Sequence, residues 1–218
     1  MIRLFVLAII VATVGFVIYQ MISFLVAINS TKSQKKRDAE KLRAALLDKK
    51  NHLVKLSDDE LELLSINITD TSAVPGLNPE KYGVFTSIYH EPLISFARKV
   101  YGAGNESVTV VITSQHEFVY HSAASKTQVT VDGHVIGVVH ADGNLYDSKN
   151  RLVAHIDADD VLASHPVKVG AREVGEIINP MLASSPNPRA YTFLKPMDSD
   201  EKILFMSLTL LSLVEESV

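Results

Sequence analysis

The pattern of hydrophobic and polar positions changes character several times along the chain. Leu4 to Ile28 is a run of 25 residues in which Gln20 is the only strongly polar member. As a helix rising ~1.5 Å per residue, such a run covers the ~30 Å hydrocarbon core of a bilayer with room for tilt. It predicts an uncleaved transmembrane anchor over residues 1–30. A signal peptide would have a shorter apolar stretch and a small-residue cleavage pattern, whereas here the run passes straight into "VAINSTKSQKKR".

Residues 31–56 read as a basic juxtamembrane helix or stalk. Ala39, Leu42, Leu46, Leu53 and Leu56 fall on alternating three-and-four spacing, but Lys49 interrupts the seam. A coiled coil needs the pattern sustained for longer, so a solvated helix leaving the membrane is expected. Residues 57–104 read as a small helical region. "SDDE" at Ser57 to Glu60 is a capping box, Asn78 and Pro79 form a cap and a first helical position, and Leu93, Phe96, Ala97 and Val100 share one helical face that stops near Gly102.

From residue 105 the period shortens. "VTVVIT", "EFVYHS", "TQVTV", "HVIGVV", "RLVAHI", "HPVKV" and "REVGEII" are β-branched runs between turn residues, with Asp132-Gly133, Asp142-Gly143 and Asp147 to Asn150 at the turns. They predict an antiparallel meander of seven or eight strands. His134 to His140 is expected to be a central strand covered on both faces, since Ile136 and Val138 lie on one side and Val135 and Val139 on the other.

The chain closes on "EKILFMSLTLLSLVEESV". Between Ile203 and Val214 only Ser207, Thr209 and Ser212 are polar. Twelve helical residues reach only ~18 Å, short of a bilayer core. Asp198 followed by Glu201 is a good helix start, and a helix apolar on every side is a buried one. The fold class expected for the whole chain is therefore α+β: an N-terminal transmembrane helix and helical stalk, then an antiparallel β-sheet or partial barrel packed around a hydrophobic C-terminal helix, with residues 105–218 as that β domain.

"VDGHVIGVVHADGNLYDSKNRLVAHI" followed by "ILFMSLTLLSLV" resembles, in architecture, the tubby, phospholipid-scramblase and LURP-one-like group, whose barrels enclose a hydrophobic C-terminal helix. The resemblance implies lipid or membrane-proximal binding rather than catalysis. The chain departs from the group in its N-terminal span and in having too few expected strands for a full barrel of twelve. A partial or open sheet wrapped on the helix is an equal reading.

Charge sharpens the picture. The net charge is −4, but it is unevenly spread. Ser30 to Lys55 carries nine Lys or Arg against three Asp or Glu, and everything from Leu56 onward carries eleven against 22. A basic collar beside an apolar run suits anionic headgroups, and positive flanks stay cytoplasmic, so the distal domain is expected in the cytoplasm. Its acidic balance argues against nucleic acid as a partner. The expected partners are the bilayer and a protein or second copy meeting through the anchor, where Ala8 and Ala12 make a small-xxx-small pair. Sequons at Asn29, Asn67 and Asn105 would matter only in the reverse topology.

Candidate chemistry is sparse. Cysteine is absent, which removes disulfides and thiolate metal sites. Five of the eight histidines are candidate site residues, His116, His121, His134, His140 and His155. His134 and His140, six residues apart on one strand, stand ~20 Å from each other, too far to share an ion. Asp157, Asp159 and Asp160 could pair as acids. "DGNLYD" starts like a calcium loop, but Asp147 and Val153 occupy the glycine and bidentate positions. "GAGNES" lacks the third glycine of a dinucleotide fingerprint and follows an expected helix. No cofactor is expected. The function read from these patterns is a non-enzymatic binding or scaffolding domain held at a membrane surface. The alternatives are a membrane-tethered hydrolase drawing on His and Asp residues of the strand loops, or an accessory subunit of a larger membrane complex.

Overall fold

The computed structural model describes residues 32–102, 106–157, 162–183 and 185–217. The predicted anchor with its Ala8 and Ala12, the sequons at Asn29 and Asn105, and Asp159 and Asp160 lie outside the described residues. Among the described residues no helix is long and apolar enough to cross a membrane.

The described chain is a mostly antiparallel β-sheet, curled into a nearly closed barrel, with a C-terminal helix. Helix α1 spans Lys32–Lys50 and helix α2 Asp58–Glu62. The strands are β1 (Leu64–Val74), β2 (Glu80–Ser87), β3 (Pro92–Tyr101), β4 (Glu106–Thr113), β5 (Glu117–Ala123), β6 (Lys126–Val131), β7 (His134–His140), β8 (Asn144–Tyr146), β9 (Leu152–Ile156), β10 (Ser164–Val169), β11 (Arg172–Ile178) and β12 (Tyr191–Thr192). Helix α3 is Ser199–Glu216. Each strand pairs with the next in sequence, in one sheet of twelve. The expected shortfall of strands is therefore not found.

The two ends of the sheet meet through a bridge between Ser65 and Arg189. Asn187 staples this seam: its Oδ1 accepts from Ser65 Oγ (2.5 Å) and Asn67 Nδ2 (3.0 Å), and its own Nδ2 donates to the Ile88 carbonyl (2.9 Å). An edge strand left open would present unpaired backbone groups, and these side chains occupy that position.

Two expected helices are strands. Asn78 and Pro79 precede β2 and "PLISFARKVY" is β3, so the small helical region of residues 57–104 reduces to α2. That helix does carry the expected cap, with Ser57 Oγ accepting from Glu60 N at 3.3 Å. The misleading feature of β3 is burial on both sides. Leu93 to Ala97 are all buried, and consecutive apolar residues fit a helical stripe as readily as a two-faced strand.

The second face is covered by α1. Ala39, Leu42 and Leu46 pack with Val84, Ala97, Val108, Val110 and Ile112 in a cluster on the outside of the sheet. The solvated stalk expected over residues 31–56 is thus a docked helix, and a stripe of three small or aliphatic residues suffices for it. The strand covered on both sides is β4, buried from Ser107 to Thr113. It is not β7, where Val135 is 56 % exposed and the ladder slips between the Val129–Gly137 and Thr130–Val135 pairs.

Inside, α3 buries Phe205 to Leu211 without interruption, together with Leu213 and Val214. Its start is the expected one: Asp198 Oδ1 accepts from Glu201 N (2.8 Å) and the Glu201 carboxylate accepts from Asp198 N (3.1 Å). The polar members are absorbed locally. Thr209 Oγ1 donates to the Phe205 carbonyl at 2.9 Å and meets the Tyr191 hydroxyl at 2.9 Å. The turns at Asp132-Gly133, Asp142-Gly143 and Asp147 to Asn150 all connect strands as expected. At the first, both Asp132 and Gly133 take positive φ (50° and 82°), the conformation that Asp-Gly supplies at least strain.

Candidate functional site at one rim of the barrel

Following the register around the sheet identifies one rim. Lys99 opposes Glu80, Tyr101 opposes Glu106, Glu106 opposes Ala123, Ala123 opposes Lys126, and Lys126 opposes His140. His155 opposes Asn144 a little further round. The C-terminal end of α3 comes up inside this rim. Between the helix end and the strand ends lies a cavity of about 690 Å³, within the range of small-molecule sites.

One wall is apolar, made by Val139, Ile156, Leu208 and Leu211. The other is polar because of how β3, β4 and β5 alternate. In β4, Val108 and Val110 face the outer cluster under α1, which turns Ser107 and Thr109 inward. Arg98, Ser107 and Ser122 line this wall; Ser107 and Ser122 are register partners near the rim, and Thr109 and Tyr120, the register partners of Arg98 across β4 and β5, form the next inward-facing pair below them. Ser122 Oγ accepts from Thr127 Oγ1 at 2.9 Å.

Four of these groups are buried without a hydrogen-bond partner among the described residues: Arg98 Nε, Ser107 Oγ, Thr109 Oγ1 and Tyr120 OH. A buried polar atom left unpaired costs about 1–3 kcal/mol. Two of the four, on Arg98 and Ser107, belong to residues that line the cavity, which therefore favours anything that brings hydrogen-bonding atoms to them. Burial pushes the Tyr120 phenol well above its ordinary value, with smaller contributions from Tyr191 and Glu215, which keeps it a neutral donor.

The charge at the mouth is mixed. Arg98 lies 3.5 Å from Glu215, whose side chain is 43 % exposed. Even so, the surrounding rim withdraws enough water to push the Glu215 carboxyl above the usual range. Arg98 pulls it back down and Glu216 adds repulsion. Both glutamates end a helix whose dipole disfavours negative charge there.

The five candidate histidines do not converge. His140 and His155 line this cavity together with Asp142 and Asp157. His140 packs at a tilt against Tyr146 with ring centroids 4.8 Å apart, and His155 Nδ1 is buried without a partner among the described residues. His121 lies beneath α1, where burial, then the Lys35 charge, lowers its pKa. His116 and His134 belong to the opposite rim. His116 Nδ1 meets Asp132 Oδ2 at 2.7 Å, and Asp132 also accepts from Glu117 N at 2.9 Å, so this pair fastens a hairpin turn. Among the described residues no group of three His, Asp or Glu side chains is arranged to hold a metal ion.

Arg98, Ser107, Thr109, Tyr120 and Glu215 carry no motif that singles them out in the sequence. The available signal was the alternation in "SVTVVIT", where Ser107 and Thr109 share a face opposite two valines. It becomes legible only once α1 is known to cover the valines. Comparison of the chain with protein-family models, with curated proteins and with solved structures finds no match.

Proposed function

We propose that this is a single-pass membrane-anchored protein whose barrel is a non-enzymatic binding module held at the cytoplasmic surface of a bilayer, with the rim cavity as its ligand site. The observation that carries the reading is continuity. The 25-residue apolar run ends at Ile28, and Lys32 already begins a helix fastened to the barrel by Leu42 and Leu46. A module so joined has little freedom to leave the membrane surface. Two further features support the reading. The sheet has twelve strands around an apolar helix, the architecture of the group that the chain resembles and for which lipid or membrane-proximal binding is implied. The cavity combines an apolar wall with unpaired buried polar atoms, as a site for an amphiphile would.

The test is flotation of the full-length chain with phospholipid vesicles after alkaline carbonate washing. Retention in the vesicle fraction is expected, with the barrel open to added protease. Release by carbonate would refute the anchor. Dimerisation through Ala8 and Ala12, a protein partner and membership of a larger membrane complex are separate proposals, read from whether the detergent-solubilised chain runs alone.

A second reading, a membrane-tethered hydrolase, is favoured by the presence of His140, His155, Asp142 and Asp157 around one cavity. Hydrolysis of a panel of ester and phosphoester substrates that disappears in His140→Ala and His155→Ala would establish it in place of the binding reading.

A further inference from the structure

We propose that the cavity-bearing rim of the barrel faces the bilayer, and that Leu77, Leu162, Met181 and Leu182 seat it in the layer between headgroups and acyl chains. The inference rests on the anchored reading above and adds to it a direction. Chain reach decides the matter. From Ile28, the last residue of the apolar run, to Lys32, the first of α1, there are four Cα steps, which span about 15 Å at most. The first turns of α1 are pinned at this rim. Lys35 Nζ lies 2.9 Å from the Glu106 carboxylate, and Asp38 accepts from the Tyr101 hydroxyl at 2.8 Å. Tyr101 and Glu106 end β3 and begin β4 and are register partners.

The helix then runs away from the rim. Arg43 pairs with Glu117, at the start of β5, at 2.7 Å. Arg43 stands eleven residues beyond Lys32, about 16 Å along the helix, so the opposite rim lies correspondingly further from the end of the apolar run.

The near rim is suited to the layer it would meet. Met181 is 90 % exposed and Leu77 60 %, while Leu162 and Leu182 keep nearly half their surface in solvent. The loops carrying Leu162 and Met181 are tied together, since Asn179 Nδ2 donates to the Leu162 carbonyl (3.3 Å) and Asn179 Oδ1 accepts from Met181 N (3.0 Å). Lys32, Lys36 and Arg37 are exposed in the first turns of α1, where cations meet anionic headgroups. Exposed apolar residues alone would not choose a rim, because Val135 and Phe193 at the far end are exposed as well. The tether chooses. The mouth of the cavity then opens on headgroups, so its ligand is reached from the lipid layer.

The chain contains no tryptophan, so each single-tryptophan variant reports one position. Met181→Trp and Leu77→Trp mark the near rim, and Phe193→Trp and Val135→Trp mark the far rim. All four positions are exposed, so folding is not at stake. Full-length variants are reconstituted into vesicles of phosphatidylcholine and phosphatidylserine with or without brominated acyl chains. Brominated lipid is expected to remove most of the emission at positions 181 and 77 and to leave positions 193 and 135 unchanged. Vesicle-bound protein in which 181 and 77 are not quenched, or in which 193 and 135 are quenched equally, overturns the direction while leaving the anchor standing. Protein that does not float with the vesicles overturns the anchor, and the direction falls with it.

Discussion

The inner and outer helices lie on opposite faces of one sheet, α3 chiefly against β9 and β10 and α1 against β3 and β4, and they do so with very different sequences. Inner helix α3 is apolar on every face and buries nine of its eighteen residues. Outer helix α1 is strongly basic and buries four of nineteen, one of them the carboxylate Asp38. The difference follows from geometry. A helix inside a barrel has no side that meets water, whereas one on the outside needs only a stripe. Between them the strands lose their alternation: β4 reads "ESVTVVIT" with every residue after Glu106 buried, although the sheet is antiparallel and belongs to a class that usually keeps one wet face.

The sharpest way to break this comparison is to place the same charge in each helix. Leu210 of α3 and Leu46 of α1 are both 0 % exposed. In Leu210→Asp the carboxylate has no route to water, and an uncompensated buried charge costs about 3–5 kcal/mol or more, a large part of the ~5–15 kcal/mol that holds a domain together. Loss of cooperative unfolding, and of strand amide protection, is expected. In Leu46→Asp the helix can swing away with its new charge. Strand protection in hydrogen exchange should survive while protection over residues 32–50 disappears. Equal loss of strand protection in the two variants would mean that α1 is as integral to the barrel as α3.

A milder probe acts on the polar contact of α1. Asp38 accepts from Tyr101 OH at 2.8 Å and lies 3.3 Å from Lys99 Nζ, which also meets Glu80 at 2.9 Å. Asp38→Asn keeps the shape but removes the charge facing a largely buried ammonium. A destabilisation of about 1–3 kcal/mol is expected, measured by urea unfolding and confined mainly to α1 in hydrogen exchange. Nothing comparable exists at the middle of α3, whose Thr209 bonds to its own helix and to Tyr191.

The same contrast explains what could be read from the sequence. Helix α3 was legible because its pattern excludes every environment but an interior, and its cap at Asp198 and Glu201 obeys local rules that need no tertiary context. The hairpin turns were legible for the same reason. Strands β2 and β3 were not, because their apolar residues occupy both faces, and Leu93, Phe96, Ala97 and Val100 match a helical period by coincidence. What makes both faces apolar is α1, a helix too polar to reveal that it packs on anything. The polar wall of the cavity is hidden with it, since the helical period runs through Arg98 and the inward turn of Ser107 depends on what covers Val108 and Val110.

The smallest effect separates the two sides of the sheet by pH. Outside, burial pushes the Glu80 carboxyl up, but its hydrogen bonds from Lys99 and Tyr82 outweigh that and hold it below the usual range. Inside the rim, burial holds Glu215 above that range. Linkage gives these groups opposite signs. Glu80 contributes stability that is present above the ordinary carboxylate value of 4.5 and is lost as pH falls through its depressed folded value. Glu215 is a penalty at neutral pH, because the folded state holds its proton more tightly than the unfolded chain. The penalty is relieved as pH falls through the raised folded value toward 4.5. Urea midpoints measured from pH 7 to pH 3 should therefore change in two distinct windows. Glu80→Gln is expected to flatten the decline below pH 4.5, and Glu215→Gln to raise the midpoint at pH 7 slightly while removing the relief above pH 4.5. Both groups are partly exposed, so each change is expected to be of order 1 kcal/mol or less. A pH profile that Glu215→Gln leaves unaltered would mean that the mouth of the barrel is open enough to hydrate its carboxylates fully, and the cavity would then lose its claim to be a sheltered site.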